Sequence, residues 1–328
     1  SPDPKERNVL STFRMAFAYL GSFVTLLLFI PMVNYFSGNS KVLEDQQHGW
    51  LMAVIVIAVA TTILFLLNFS LTRERVKPIR EKQSLLKDDI RDLIKNRPWW
   101  ILFGAGISAL IFNSIRDGAT IYYFKYFVNE DLFGTVNYFN IPFVLSGLYL
   151  ALGQAANLLG VVLAAPLSNR IGKRFTFLGA MAVATVLSIL FFGLGREDIG
   201  LIFVLQVLIS ICAGSIFPLL WSMYADCADY SEYKTGNRAT GLIFSSSSMS
   251  QKMGWAIGTA LTGWLLAYFG FEANQVQNAE TISGIKMFMS LLPAVGSILS
   301  VFFIFFYPLT EKRLNEITLT LIERREKE

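Results

Sequence analysis

Histidine is nearly missing from this chain: His48 is the only one among 328 residues. Catalytic triads and imidazole metal centres therefore have little to build on. Cysteine is almost as scarce. Cys212 and Cys227 form no CxxC pair and lie in or at the end of an apolar stretch, so neither a disulfide framework nor a zinc site is expected. HExxH and GxSxG motifs are both absent. The expectation is a protein that is not an enzyme and holds no metal or organic cofactor. Charge is sparse as well, at 16% of residues, whereas soluble domains carry about 25%. The chain begins Ser1-Pro2-Asp3-Pro4, with no Met and no cleavable signal pattern, which reads as an internal piece of a longer protein.

Apolar residues are what the chain has in quantity: 54% of it, with 28 Phe. They are gathered into eight stretches, at 10–36, 49–71, 99–128, 143–168, 175–195, 199–225, 239–270 and 282–309. Each is long enough for a spanning helix, which takes about 20 mostly apolar residues. Eight crossings put the charged islands 1–9, 72–98, 169–174, 226–238 and 310–328 on one side. The islands on the other side carry only Lys41 and Arg196 as basic residues. Cytoplasmic loops are rich in Lys and Arg, so both ends of the chain are expected in the cytoplasm of a plasma-membrane protein. The net charge of +4 then reflects a basic membrane face, and no nucleic-acid partner is expected.

The island 72–98 is the longest internal one and carries nine basic residues from Arg73 to Arg97. It reads as a cytoplasmic loop between two helical bundles. Residues 1–71 supply the last two helices of one bundle, 99–310 supply a six-helix bundle, and 311–328 form a cytoplasmic tail. Transporters commonly pair two six-helix halves, so four further helices are expected before residue 1.

A cation at the centre of a spanning helix costs about 2.5–3.5 kcal/mol on insertion scales, so such residues face a bundle interior or a wet cavity. Lys252 lies deep in the stretch 239–270, flanked by Ser245 to Ser248, Ser250, Gln251 and Gly254. It is a candidate substrate or coupling residue. Arg116 and Asp117 are adjacent, point about 100° apart on a helix, and so need other partners; Lys252 is one candidate for Asp117. Arg14, one turn into the first helix, reads either as snorkelling to the interface or as a pocket residue. Lys125 and Lys286 sit near helix ends and read as snorkelling. Tyr122, Tyr123 and Tyr126 follow the Arg-Asp pair as pocket lining or as an interfacial belt. Gly214 and Pro218 are expected to break the sixth helix. On the cytoplasmic side, Asp226, Asp229 and Glu232 share one helical face. A salt-bridge network with Arg174, Lys234 and Arg238, serving a gate, is expected there rather than a divalent-metal site.

Several of these runs resemble one family. Asp3-Pro-Lys-Glu-Arg7 with Phe13-Arg14 is similar to the segment entering helix five of the glycoside–pentoside–hexuronide:cation symporters, the melibiose-carrier group of the major facilitator superfamily. Asn169-Arg-Ile-Gly-Lys-Arg174 resembles the superfamily's loop motif between helices eight and nine. Ala225-Asp-Cys-Ala-Asp-Tyr-Ser-Glu-Tyr-Lys234 resembles the family's run between helices ten and eleven. The resemblance implies an all-α membrane protein with the major facilitator fold, the eight helices corresponding to helices five to twelve. It implies symport of a sugar or glycoside with Na⁺ or H⁺ by alternating access. It also implies that Arg14 borders the sugar site, and that Lys252 is the helix-eleven lysine near the sugar and cation sites. Ser248 stands one turn before Lys252 as its companion. The helices on which the family carries its cation carboxylates and main sugar-binding acids are not in this chain. Arg116-Asp117 departs from the melibiose-carrier pattern and marks a different substrate subgroup, such as xylosides, glucuronides or another anionic sugar. Two alternatives remain open: a major-facilitator carrier of another solute such as a lysolipid, and a non-transporting membrane scaffold or sensor.

Overall fold

The computed structural model describes residues 4–38, 40, 42–72, 86–130, 136–138, 141–236 and 240–327. Helix occupies most of each of the eight expected stretches. The elements are α1 (Pro4–Phe36), α2 (Leu43–Leu71), α3 (Leu86–Lys95), α4 (Arg97–Tyr122), α5 (Leu145–Ile171), α6 (Lys173–Phe191), α7 (Ile199–Thr235), α8 (Thr240–Tyr268), α9 (Ala279–Met289), α10 (Leu291–Phe305) and α11 (Glu311–Lys327). α4 runs on through one π-helical turn, Tyr123–Val128, and a small hairpin of β1 (Val136–Tyr138) and β2 (Ile141–Phe143) precedes α5. Among the described residues seven helical spans are long and apolar enough to cross a membrane. α8 is less apolar because its first half carries Ser245 to Ser248, Ser250, Gln251 and Lys252.

Several boundaries differ from the sequence expectation for identifiable reasons. The sixth span does not break at Gly214 or Pro218; α7 is continuous through Pro218 and reaches Thr235. Gly214 is needed for contact instead. α5 and α7 cross so closely that a Cβ on Gly214 would lie 2.2 Å from the Asn157 carbonyl oxygen, and one on Gly160 would lie 2.0 Å from that of Ile211. Small residues let spanning helices approach in this way. The last span does break: α9 ends at Met289 and α10 begins at Leu291, with Ser290 between them at φ −132° and ψ −86°. Part of the 72–98 island is helical, as α3. Asn96 joins α3 to α4: its Oδ1 accepts from the Trp99 N–H at 3.2 Å, and its Nδ2 donates to the Cys227 carbonyl on α7 at 3.1 Å. The tail at 311–328 is also ordered, as α11, which turns Ile317 and Leu321 into the core.

α4 to α10 pack around one another, with α4 against α8 and α10, and α7 against α5 and α6. α1 lies along α5 and α7. α2 packs chiefly on α1 and buries only Gly49 and Ala53. The remaining surface of α2 is apolar on nearly every side, with Leu64, Phe65, Leu66 and Phe69 exposed. A helix apolar all round belongs in lipid or among other spanning helices.

Candidate functional site

A cavity of about 420 Å³ opens where α1 meets α4, α5, α7 and α8. Helical spacing explains which residues reach it. α1 supplies Arg14, Met15, Ala18, Tyr19 and Ser22; α4 supplies Asn113, Arg116 and Asp117. α5 adds Gln154 and Asn157, α7 adds Gln206, Ser210, Phe217 and Trp221, and α8 adds Gln251 and Trp255. Within each helix these positions recur three or four residues apart, which places them on one face. The lining therefore combines amides, two guanidinium groups, one carboxylate and several aromatic rings inside an otherwise apolar bundle.

Arg116 is 4% exposed. Its guanidinium donates to the Tyr149 hydroxyl at 3.0 Å and to Gln206 Oε1 at 2.8 Å. It also donates to the Met289 carbonyl, the last one of α9. That carbonyl sits at the break before α10, at the negative end of a half-helix, where a cation is favoured. The rings of Phe191 and Phe112 flank the charge at 5.3 and 5.9 Å. One buried cation thus ties α4 to α5, α7 and the broken last span. Asp117 is half-buried beside it and makes no hydrogen bond or ion pair with a described residue.

Arg14 stacks over Trp221, 4.8 Å from the ring centroid. This contact joins α1 to α7, as does the edge-to-face pair of Tyr19 and Phe217 at 6.0 Å. Two cavity donors are buried without a partner among the described residues: Trp221 Nε1 and Gln251 Nε2. Buried donors without acceptors are costly, so an oxygen atom that reached either one after a local side-chain shift would relieve it.

The other candidates fall elsewhere. Lys252 is exposed on α8, next to Gln251 but outside the cavity lining, and the candidate pair with Asp117 is not formed. Adjacent positions on a helix diverge, so Gln251 takes the cavity and Lys252 turns away. The Ser248 hydroxyl donates to its own helix, to the Phe244 carbonyl at 3.2 Å. Tyr122 packs edge-on against Phe271 at 5.1 Å, away from the cavity. Tyr123 is fully buried in the core, and the Tyr126 hydroxyl accepts from the Asn274 N–H at 2.9 Å. Lys125 reaches Asn274 Oδ1 at 2.9 Å.

At the loop between α5 and α6 the ionic partner of Asp226 is Lys173, not Arg174. The Lys173 ammonium contacts both carboxylate oxygens, at 2.8 and 2.7 Å, and both side chains are largely buried. Gly172, at φ +87°, turns the chain so that Lys173 opens α6 facing α7. The Lys173 N–H donates to Glu311 on α11 at 3.2 Å, while Arg174 donates to the Phe305 carbonyl. Lys234 lies over Tyr230 at 5.9 Å. Asp229 and Glu232 stand on the same helix as Asp226, and Arg238 lies outside the described residues. Lys173 was legible as part of the basic turn, but sequence alone does not tell which of two neighbouring cations faces α7.

Gln154, Asn157, Gln206 and Trp221 are cavity residues that sequence reasoning missed. Their signal was present: uncharged amides in apolar spans, with Gln206, Ser210, Phe217 and Trp221 close to one helical face. Charge drew attention to cations instead.

Membrane-length helices here pack around a polar cavity lined by side chains from five of them. The chain belongs to the family described as MFS/sugar transport protein, whose model it matches over residues 1–311. It is 33% identical over 307 residues to an isoprimeverose transporter of Lactiplantibacillus pentosus, a match covering 93% of this chain and 61% of that protein. It is 32% identical over 327 residues to a glucuronide carrier protein homolog of Escherichia coli (strain K12), covering 98% of this chain and 67% of the relative. The chain thus spans about three fifths to two thirds of the length of these relatives. The crystal structure of the E. coli fucose:proton symporter superposes with a TM-score of 0.61 at 16% identity, over 94% of this chain and 71% of that one. That likeness concerns the fold, and it bears out the all-α major facilitator architecture. The protein is an integral, multi-pass membrane protein of a transporter family, not an enzyme.

Proposed function

We propose that this chain is the larger part of a symporter that moves a sugar or glycoside together with a monovalent cation, Na⁺ or H⁺, by alternating access. The observation that carries the reading is the cavity between α1 and the α4–α10 bundle, with its amides, its Arg14–Trp221 stack and its two unpartnered donors. Sugars offer many hydroxyl oxygens and apolar ring faces. Orphaned N–H groups and indole rings match both. The activities for which the relatives are named point the same way.

In this reading Arg14, Trp221, Gln251 and the neighbouring amides hold the sugar, and Arg116 fixes the wall behind it. Lys252 acts from the adjacent face of α8, with Ser248 one turn away, as a coupling residue rather than a lining one; Tyr122 borders the outer end of α4. The Lys173–Asp226 pair and its neighbours Arg174, Asp229, Glu232 and Lys234 hold the cytoplasmic ends of α5, α6 and α7 together in one state and release them in the other. The loop charges support a reading in which this network, and both ends of the chain, lie on the cytoplasmic side of the plasma membrane. Sugar counterflow by the full-length protein in vesicles, with a glycoside panel and with Na⁺ or H⁺ supplied in turn, tests the reading. Saturable exchange of one glycoside supports it. Folded protein that exchanges no glycoside refutes it.

A further inference from the structure

The cavity is long and has two polar ends. Its wall on α7 runs from Gln206 through Ser210, Ala213 and Phe217 to Trp221. That stretch of helix rises about 22 Å, more than one sugar ring spans. Gly106 of α4 faces both Leu220 and Ser250, so Trp221 and Gln251 lie level with it. Arg116 stands about 15 Å further along α4, where it meets Gln206. Arg14, Trp221 and Gln251 therefore gather at one end, and Arg116, Asp117 and Gln206 at the other.

Arg116 fixes the chemistry of the second end. A guanidinium only donates, so the Gln206 atom that meets it at 2.8 Å is Oε1. The amide nitrogen is thereby turned the other way, against Gly153, which also lines the cavity; a Cβ on Gly153 would lie 2.6 Å from it. Gln206 Nε2 makes no hydrogen bond with a described residue and, unlike Gln251 Nε2, is not sealed from the accessible surface. Asp117 lines the same cavity and makes no hydrogen bond or ion pair with a described residue. A free donor and a free acceptor suit hydroxyl groups, which accept from an amide and donate to a carboxylate. An anionic group would face the charge of Asp117, while Arg116 is spent on three neutral oxygens.

We infer that the Gln206 end of the cavity is a second sugar subsite, in which Gln206 and Asp117 hold an uncharged, hydroxyl-rich unit beyond the sugar at the Arg14–Trp221 end. The inference rests on the sugar reading above and narrows it to a disaccharide whose second sugar is neutral. Arg116 is a positioning residue here: it keeps Gln206 a donor toward the solute.

The test is equilibrium binding to the full-length protein in detergent. The probes are the tightest-binding disaccharide of the panel and the methyl glycosides of its two sugars. The wild type is expected to prefer the disaccharide over either methyl glycoside by about tenfold or more, the equivalent of one hydrogen bond. Gln206→Glu keeps an oxygen for Arg116 and puts a second acceptor where Nε2 stood. It is expected to remove most of that preference by weakening the disaccharide far more than the methyl glycosides, and Asp117→Ala to do the same. Trp221→Phe, at the other end, is expected to weaken the disaccharide and the tighter methyl glycoside alike. A wild type without the preference overturns the inference. So does the full preference retained by folded Gln206→Glu or by Asp117→Ala, or a loss shared equally by all three probes in either variant. If Gln206→Glu does not fold, Asp117→Ala decides alone. A wild type that binds no glycoside is a different failure: it removes the sugar reading and this inference with it.

Discussion

Arg116 shows how the bundle keeps a charge far from water. Its acceptors are a hydroxyl, an amide and a helix-end carbonyl, all neutral. Hydrogen bonds from a charged group contribute about 1.5–3 kcal/mol each, and loss of a partner exposes the full cost of desolvation. Gln206→Leu keeps the volume but removes one acceptor. It is expected to lower the thermal stability of the detergent-solubilised protein by an amount within that range, while an unchanged melting temperature contradicts this account of Arg116. Trp221 has the opposite character: its N–H is unsatisfied, and its ring carries Arg14. Trp221→Phe retains a ring for stacking and removes the donor. A sugar bound through that donor should lose roughly tenfold in affinity, the equivalent of one hydrogen bond. Equilibrium binding with the best glycoside of the panel measures it, and unchanged affinity places the sugar away from Trp221.

Element by element, the helices were legible from apolar length, and the polar islands gave their order. Hydropathy alone did not show the continuity of α7 through Pro218 or the break at Ser290. Both depend on neighbours: Gly160 and Gly214 let α5 and α7 meet backbone to backbone, and Arg116 occupies the carbonyl freed at the break. Gly160→Ala sets a methyl group 2.0 Å from the Ile211 carbonyl oxygen. Overpacking of this kind costs about 1–3 kcal/mol, so the variant is expected to melt earlier in detergent. A variant as stable as the wild type shows that α5 and α7 can part without cost. The choice of Lys173 over Arg174 as partner of Asp226 likewise follows from the turn at Gly172, which fixes which side chain faces α7. Breaking a largely buried pair on one side costs about 3–5 kcal/mol, while replacing both partners by apolar residues is far less damaging. Asp226→Leu is therefore expected to destabilise the protein strongly, and Lys173→Met with Asp226→Leu to recover most of the loss. Additive losses in that cycle contradict the pairing.

For the whole molecule, the sequence pointed to the right fold class through motif resemblance and charge placement, and it singled out the three charged residues that line the cavity, Arg14, Arg116 and Asp117. The rest of the site comes from five helices that each add a few side chains, in groups tens of residues apart along the chain, and only packing brings them together. Lys252 marks the limit of charge as a guide, since one residue's shift around α8 turns it from the cavity and presents Gln251. The central claim is that the solute occupies the cavity between α1 and the α4–α10 bundle. The most direct measurement is a structure of the full-length protein with a transported glycoside bound. The account predicts sugar in the cavity beside the Arg14–Trp221 stack, with its oxygens accepting from Trp221 Nε1 and Gln251 Nε2. Sugar bound elsewhere, with both of those donors still unpartnered, contradicts it.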